Sequence, residues 1–372
     1  MTHPLRTIGW ALYGAASWTW CIGLFLPAIL MQWFGWSGFL LIAIPNVLGA
    51  TAMGLLLGSP DASRAFCKRH PQAIGLFVSL TIAFHLLFLS IVAVWIFPPD
   101  MVGPWNWVLF PLISLALGLL LSLAPRSWWP LLGTIAFASG SIVVVSNCGC
   151  GDSLGWSGTK PPIELVWLAP IFIIGFLLCP WLDAPFHRVR QETEGPLGFL
   201  VLGGGFLFML LVTASYWWLG ERTGTTVVLA WIFGQSTFTI GANLRELRDG
   251  VLTSSTFIEI PWLALVLAAA FIIGLQLIDT WSEVIDLYFR WLALYGLVFP
   301  AIVLAWCLRS SPKVTLKGLV RLIILLAVAA VLGEIGLLHE PTWVAAVAAI
   351  LILFTPWITK GSSTARGCTP TS

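Results

Sequence analysis

The sequence predicts an all-α, polytopic membrane protein, a class indicated by its composition, its long apolar runs and the placement of its few charges. Of its 372 residues, 59% are hydrophobic and only 9% are charged, whereas a soluble domain carries roughly 25% charged residues. Mean hydropathy is +0.95. So few charges cannot cover a soluble globule, which excludes a soluble enzyme, a nucleic-acid-binding protein and a disordered chain. The apolar runs are continuous, which argues against a membrane β-barrel, because its strands alternate apolar and polar residues.

Continuous apolar runs predict the individual membrane spans, since a helix needs about 20 mostly apolar residues to cross a bilayer. About twelve such runs are present, covering residues 7–31, 36–58, 73–97, 105–124, 130–147, 163–183, 197–219, 224–243, 256–279, 284–308, 318–338 and 342–359. The connectors are short, so we expect one integral membrane domain over residues 1–372. The first run is too long for a signal peptide, and no small-residue cleavage site follows it.

The positive charges predict the orientation of the chain. With the N-terminus placed in the cytoplasm, all but three of the 18 Lys and Arg residues fall on the cytoplasmic side. The exceptions are Lys160, Arg222 and Arg290. This bias is typical of cytoplasmic connectors, and losing or adding one span would destroy it. We therefore expect both termini in the cytoplasm and the protein in a bacterial inner membrane, with the lipid bilayer as its surroundings.

Two spans contain helix-breaking residues at related positions. Pro27 lies in the first span, and Pro170 and Gly175 lie in the sixth. A proline removes a backbone donor and frees a carbonyl one turn earlier, and within lipid that carbonyl needs another partner. Interrupted helices at matching positions of two repeats are typical of secondary transporters. The alternative is a pair of ordinary proline kinks.

The eighth span carries an unusual group of polar side chains within an apolar run. Gln235, Ser236, Thr237 and Thr239 lie within five residues. Hydroxyls of Ser236 and Thr237, together with carbonyls freed near Pro27, would form an oxygen-only site suited to sodium. The alternative is that Ser and Thr hydroxyls join neighbouring helices.

Few other polar groups carry chemistry. His85 lies near the centre of the third span. It is either a core histidine hydrogen-bonded to a neighbouring helix, or a residue that relays protons or binds the substrate. Cys148 and Cys150 share an outer loop, where two thiols alone do not make a metal site. The usual hydrolase, metalloprotease and phosphate-binding motifs are absent from the sequence. We therefore expect no enzyme activity and no organic cofactor.

Three stretches carry a resemblance to a known family. They are Trp20 to Gly58, with Pro27 and Pro45-Asn46; Pro180 to Arg188; and Ser236-Thr237 followed by Ala242-Asn243. In their order and span numbers they resemble the LeuT-like transporters with five-plus-five inverted repeats, a group within the APC superfamily. The similarity is greatest to the nucleobase:cation symporter-1 and sodium:solute symporter branch.

The resemblance implies a division of the chain and a set of site residues. The first five-helix repeat would cover residues 7–147 and the inverted second repeat residues 163–308, with broken helices one and six and two additional helices at 318–359. A sodium ion would be bound by Gly23, Leu26, Ser236 and Thr237, in the family's cation site between spans one and eight. Candidate substrate-binding residues are Trp20, His85, Trp167 and Asn243. Phe238 stands where the family usually has Asn.

Three functional hypotheses remain open from the sequence. The first is a sodium-coupled symporter that moves a small neutral or zwitterionic solute, such as a nucleobase-like heterocycle, by alternating access. In it, Asp183 and Arg188 at the cytoplasmic end form either an inner gate or a simple surface pair. The second is a non-transporting membrane sensor or complex subunit that keeps the fold. The third is a lipid-modifying membrane enzyme with His85 or Glu334 as its acid or base.

Overall fold

In the computed structural model, the described residues form helices and the turns that connect them. The structure describes residues 3–96, 105–147, 156, 158–215, 222–249, 259–275, 278, 280–308 and 316–359, and no strand occurs within these ranges. Cys148 and Cys150 lie outside the described residues.

The described residues of the first half of the chain form seven α-helices. They are α1 His3–Trp18, α2 Cys21–Phe34, α3 Trp36–Leu57, α4 Pro60–Arg69, α5 Pro71–Ile91, α6 Asn106–Ser122 and α7 Trp129–Asn147. A π-helical turn, Val92–Ile96, continues α5, and a 3₁₀ turn, Arg126–Trp128, precedes α7.

The part of the second half that the structure describes forms ten more. They are α8 Pro162–Leu178, α9 Ala184–Glu192, α10 Leu197–Ala214, α11 Arg222–Asp249, α12 Glu259–Gly274, α13 Trp281–Ala293, α14 Phe299–Ile302, α15 Leu316–Leu338, α16 Trp343–Leu353 and α17 Thr355–Ile358. A 3₁₀ turn, Cys179–Leu182, follows α8, and π-helical turns, Leu294–Val298 and Val303–Cys307, flank α14.

These helices confirm the predicted series of spans. Within the described residues, 8 helices are long and apolar enough to cross a membrane, and the bent pair α1–α2 makes up to 9. Shorter apolar helices at Asn106–Ser122, Ala264–Gly274 and Trp343–Leu353 lie in the other three predicted ranges. The remaining helices α4 and α9 are short and connect spans. α4 begins at an N-cap, where the Ser59 hydroxyl accepts from the Ala62 N–H, as helix starts require.

The positions of the helix breaks differ from the sequence prediction. The first span bends by 62° between α1 and α2, at Thr19 and Trp20, and Pro27 lies within an intact α2. Pro170 and Gly175 lie within α8, so the sixth span departs from α-helix only at its end, through Cys179–Leu182. Placing the breaks at the prolines was wrong, because a neighbouring side chain can satisfy a carbonyl that proline frees.

The helix packing has a regular order. The first span packs through α1 on α7 and α10, and the sixth span, α8, packs on the tenth, Leu294–Ile302, and on α3. Similarly, α5 packs on α12, and α11 packs on α6. Each of these contacts of the first and third spans thus corresponds to one of the contacts of the sixth and eighth spans, with both partners moved by five spans.

Close packing of α1 on α7 depends on Gly133, and we expect Gly133→Ala to destabilise the protein by about 1–3 kcal/mol. A Cβ atom at this position would overlap Tyr13 Cα and lie 2.7 Å from the Tyr13 backbone N, so a helix backbone would have to move. Thermal unfolding of purified protein measures the effect. Gly204→Ala is the matched control, because nothing lies within 4 Å of its Cβ. Equal melting temperatures for the two variants would contradict this packing.

Candidate functional site

Hydrogen bonds within the first span and to α3 stabilise the break between α1 and α2. Trp20 has extended backbone, with φ −90° and ψ −173°, and the Thr19 hydroxyl turns back to the Ala15 carbonyl at 2.9 Å. The Trp18 indole N–H donates to Asn46 Oδ1 of α3 at 2.7 Å. The Thr19 N–H also donates to the Ala15 and Ala16 carbonyls, at 3.2 and 3.1 Å, so the last turn of α1 places acceptor oxygens at the break inside the protein.

Pro27 frees a carbonyl, as predicted, and the structure identifies its partner. Proline at position 27 cannot donate to the carbonyl one turn earlier, which is that of Gly23. The Thr213 hydroxyl of α10 donates to this oxygen at 2.8 Å. A helix–helix hydrogen bond therefore takes the place of the cation contact that the sequence suggested for the Gly23 carbonyl.

Aromatic rings pack around Trp20. The ring centroid of Trp20 lies 4.6 Å from Tyr295, 4.8 Å from Trp18 and 5.6 Å from Phe77. Trp20 is only 3% exposed. The Tyr295 hydroxyl lies 3.3 Å from the Thr81 hydroxyl of α5. The surroundings of the break are therefore apolar rings with hydroxyls at one edge.

A polar stripe runs along one face of α11, formed by Gln235, Thr239, Asn243 and Glu246. Their spacing of four, four and three residues keeps them on one side of a helix. All four are at most 2% exposed. The oxygens Gln235 Oε1, Thr239 Oγ1 and Asn243 Oδ1 have no hydrogen-bond partner among the described residues, and neither does the neighbouring Ser236 Oγ. Burying an acceptor without a partner has a free-energy cost. A hydrogen-bond donor, a water molecule or a cation bound at this face would therefore stabilise the protein.

The stripe meets the broken span directly. The Gln235 amide N–H donates to the carbonyl oxygen of Ala16, in the last turn of α1. Further toward the other end of α11, the Tyr13 hydroxyl of α1 lies 3.5 Å from Glu246 Oε1. Two hydrogen bonds thus join α1 to the polar stripe of α11, one at each end of the stripe.

The four residues predicted to bind a cation do not share one contact in the structure. The Thr237 hydroxyl lies 2.9 Å from the Ser114 hydroxyl of α6, and the Gly23 carbonyl is bonded to Thr213. Leu26 lies in α2, one turn beyond Gly23, and is buried. Ser236 alone keeps an unpaired buried oxygen. Cation binding by these residues stays a prediction.

The four predicted substrate-binding residues are also dispersed. Trp20 is at the break, and Asn243 is in the polar stripe, where its amide donates to the Thr239 carbonyl at 2.9 Å. His85 is fully buried; its Nδ1 lies 2.8 Å from the Thr81 carbonyl oxygen, and its Nε2 has no partner in the described part of the chain. Trp167 is 38% exposed on α8. Their substrate role stays a prediction.

α9 and the C-terminal part of α11 are joined by a buried ion pair that differs from the predicted one. The Arg188 guanidinium binds both carboxylate oxygens of Glu246, with its Nη2 at 2.9 Å from Oε2 and its Nε at 3.1 Å from Oε1. Arg245 Nη1 adds a contact of 3.2 Å to the same carboxylate. Glu246 is fully buried and Arg188 is 5% exposed. Tyr13, beside them, connects α1 to this pair.

Asp183 has a different role from the predicted pairing with Arg188, which was wrong. It lies just beyond the end of the sixth span and is the N-cap of α9, where its Oδ1 accepts from the Phe186 N–H at 2.8 Å. An acidic N-cap is favoured at a helix start, and Arg188, one turn later, faces Glu246. Burial raises the pKa of Asp183 to about 8; the Phe186 hydrogen bond opposes this, and Glu246 adds to it.

A second carboxylate extends the ion-pair network to two exposed arginines. Glu192, at the end of α9, binds Arg6 Nη2 at 2.8 Å and also pairs with Arg126. Arg188 Nη1 lies 3.9 Å from it. The network therefore ties α1, α9, α11 and the start of α7 together at this end of the bundle.

Sequence reasoning missed Gln235 as the contact to α1, Glu246 as the partner of Arg188, and Thr213. One signal for Glu246 was present, an acidic residue between Arg245 and Arg248 at the end of an apolar span. Glu334, considered as an acid or base, binds Arg290 Nη2 at 2.8 Å. No group of three or more His, Cys, Asp or Glu residues within the described ranges is placed to hold a metal ion.

Comparison with known proteins supports the fold. No protein-family model and no curated protein matches the chain. Among solved structures, the chain is similar to one described as the substrate-bound outward-open state of a Na⁺-coupled sialic acid symporter that reveals a novel Na⁺ site. The TM-score is 0.50 and the identity 14%, over 94% of this chain and 89% of that chain. The predicted polytopic, LeuT-like helical fold is thus confirmed.

Proposed function

We propose that the chain is a sodium-coupled secondary transporter that works by alternating access. The observation that carries this proposal is the break at Thr19 and Trp20, which ends α1 against the unpaired oxygens of α11. Irregular backbone at membrane depth is tolerated where it lines a site or is buried in protein. The similarity in fold to a Na⁺-coupled symporter supports the same function.

The coupling cation is proposed to bind where α1 ends. Its ligands would be the Ser236 and Thr239 hydroxyls, the Gln235 side-chain oxygen and helix-end carbonyls of α1. These are hard, neutral oxygen donors, which suit an alkali cation better than a transition metal. The unpaired state of the three side-chain oxygens fits a ligand that accepts their lone pairs. The proposal keeps Ser236 from the sequence prediction and adds Gln235 and Thr239.

The packing of the helices supports two repeats of five spans, at residues 7–147 and 163–308, with two additional helices at 318–359. The contacts of α1 on α7 and α10 correspond to those of α8 on the tenth span and α3. The contact of α5 on α12 corresponds to that of α11 on α6. Equivalent pairs of this kind are expected if the second repeat is a copy of the first.

The proposed substrate is a small neutral or zwitterionic solute with a flat ring, such as a nucleobase-like heterocycle. Trp20, Tyr295 and Phe77 surround the break with uncharged rings, on which a planar molecule can stack. Asn243 and His85 provide a buried unpaired Oδ1 and Nε2 for hydrogen bonds. No fully charged partner for a strongly ionic substrate is among these residues.

One observation favours a second candidate, a non-transporting sensor or complex subunit. The Gln235 amide already satisfies the Ala16 carbonyl with a neutral group. In a protein that keeps the fold but no longer binds a cation, a neutral donor such as this amide would have to pair with the carbonyl at the end of α1.

Sodium dependence separates the two candidates. In purified protein, NaCl should raise the melting temperature relative to KCl at equal ionic strength, since sodium at about tenfold over its Kd adds about 1.4 kcal/mol. Reconstituted protein with an inward sodium gradient should accumulate one compound from a panel of nucleobases, amino acids and sugars. No sodium effect in either assay would reject coupled transport and favour the sensor or subunit.

A further inference from the structure

A polar cleft opens where α1 and α7 begin, apart from the site at the helix break. It has a volume of about 680 Å³ and is lined by Arg6, Trp10, Arg126, Ser127 and Pro130. Arg6 and Trp10 are one turn apart on α1, and Arg126 and Ser127 lie in the 3₁₀ turn before α7. The bias of Lys and Arg places this end of the bundle at the cytoplasmic membrane surface.

The walls of the cleft carry an excess of positive charge. The side chains of Arg6 and Arg126 are each 57% exposed, and both form ion pairs with the buried carboxylate of Glu192. Arg188 and Arg245 share the other carboxylate, Glu246. Four guanidinium groups thus share two carboxylates in this network. Cations in such excess attract an anion that can reach the exposed pair.

The cleft also offers neutral hydrogen-bond donors. The Trp10 side chain is 1% exposed, and its indole N–H has no acceptor among the described residues. An indole nitrogen is a donor only, so burying it without an acceptor has a cost. The Ser127 hydroxyl lines the same cleft. Two arginines, an indole N–H and a hydroxyl together match an acceptor-rich, negatively charged group, and arginine forks match phosphate oxygens in particular.

Apolar residues next to the cleft indicate that the anion belongs to a lipid. On α1, Leu5 is 54% exposed; Trp128, in the 3₁₀ turn before α7, is 59% exposed, and Leu131 of α7 is 55% exposed. Such side chains at the end of a span contact acyl chains and headgroups, and tryptophan is typical of that interface. A free phosphate ion would use only the polar half of this surface.

We propose that this cleft binds the phosphate headgroup of an anionic membrane lipid, with Arg6 and Arg126 pairing with the phosphate and Trp10 and Ser127 donating hydrogen bonds to it. Basic pockets at the cytoplasmic side of helical bundles are suited to such lipids. The headgroup competes with Glu192 for the two arginines. Lipid binding therefore acts on α9, which holds Arg188 against Glu246.

The test is a lipid titration of the full-length protein in detergent, read by thermal stability and by native mass spectrometry. Phosphatidylglycerol should stabilise the protein and remain bound, whereas phosphatidylcholine should have a weaker effect. Arg6→Gln and Arg126→Gln should each weaken phosphatidylglycerol binding at least tenfold. Trp10→Phe, which keeps the ring and removes the N–H, should weaken it several-fold.

Arg64→Gln is the matched control. Arg64 is an exposed arginine paired with an acid, Asp61, on α4. Its variant should bind phosphatidylglycerol as the parent does. The proposal is overturned if Arg64→Gln weakens binding as much as Arg126→Gln, which would indicate diffuse charge attraction. It is also overturned if inorganic phosphate displaces the lipid at equal concentration, or if Trp10→Phe and the two arginine variants all bind normally.

Discussion

Glu246→Gln is expected to destabilise the protein by about 3–5 kcal/mol, the typical effect of removing one member of a buried ion pair. The substitution keeps the size of the side chain but removes the carboxylate that contacts both Arg188 and Arg245. Two guanidinium groups would then be buried with less counter-charge. Thermal unfolding of the purified variant measures the loss.

The same variant tests whether the Arg188–Glu246 pair closes this end of the helix bundle. Cys21 begins α2 at the helix break and is fully buried. If the pair holds α9 and α11 together, its loss should expose the break, and a maleimide should label Cys21 faster than in the parent. Mass spectrometry assigns the labelled cysteine.

Asp183→Asn is the control for this experiment. Asparagine is an equally good N-cap and can accept the Phe186 N–H, so we expect nearly parental stability and Cys21 labelling. The double variant Arg188→Gln/Glu246→Gln should be less destabilised than the sum of the two single variants, because it removes both charges. An effect of Glu246→Gln no larger than that of Asp183→Asn would contradict the pair.

Replacing Ser236 by Ala and Thr239 by Val together is expected to weaken sodium binding by more than about tenfold, as losses around a bound metal do. Both hydroxyl oxygens are buried and unpaired, so their removal takes away proposed ligands without breaking a described hydrogen bond. The readout is the sodium concentration that gives half of the maximal thermal stabilisation.

Thr237→Ala is the matched variant one position away. Its hydroxyl is bonded to Ser114 of α6, so it should lose some stability and keep the sodium response. The reverse result, sodium binding lost in Thr237→Ala and kept in the Ser236/Thr239 variant, would favour the site that the resemblance implies. An unchanged sodium response in all of these variants would refute a cation site on this face of α11.

The sequence by itself determined the membrane class and the number and order of the spans. These properties depend on composition and local apolar length, because each helix satisfies its own backbone hydrogen bonds in lipid. Ser236 could be predicted as a buried polar residue for the same reason, because its hydroxyl lies within a long apolar run. The polar residue types of the site could thus be identified, but not their partners.

Only the tertiary structure decided which groups are paired and which are left without a partner. Pro27 indeed frees the Gly23 carbonyl, but whether that oxygen needs a cation depends on Thr213, which is far along the chain and bonds to it. Arg188 could have paired with Asp183 nearby, yet the N-cap geometry directs Asp183 to Phe186 and leaves Arg188 to Glu246. Hydrogen bonds and ion pairs depend on distances of a few ångströms between helices, and those distances are set by packing across the whole bundle.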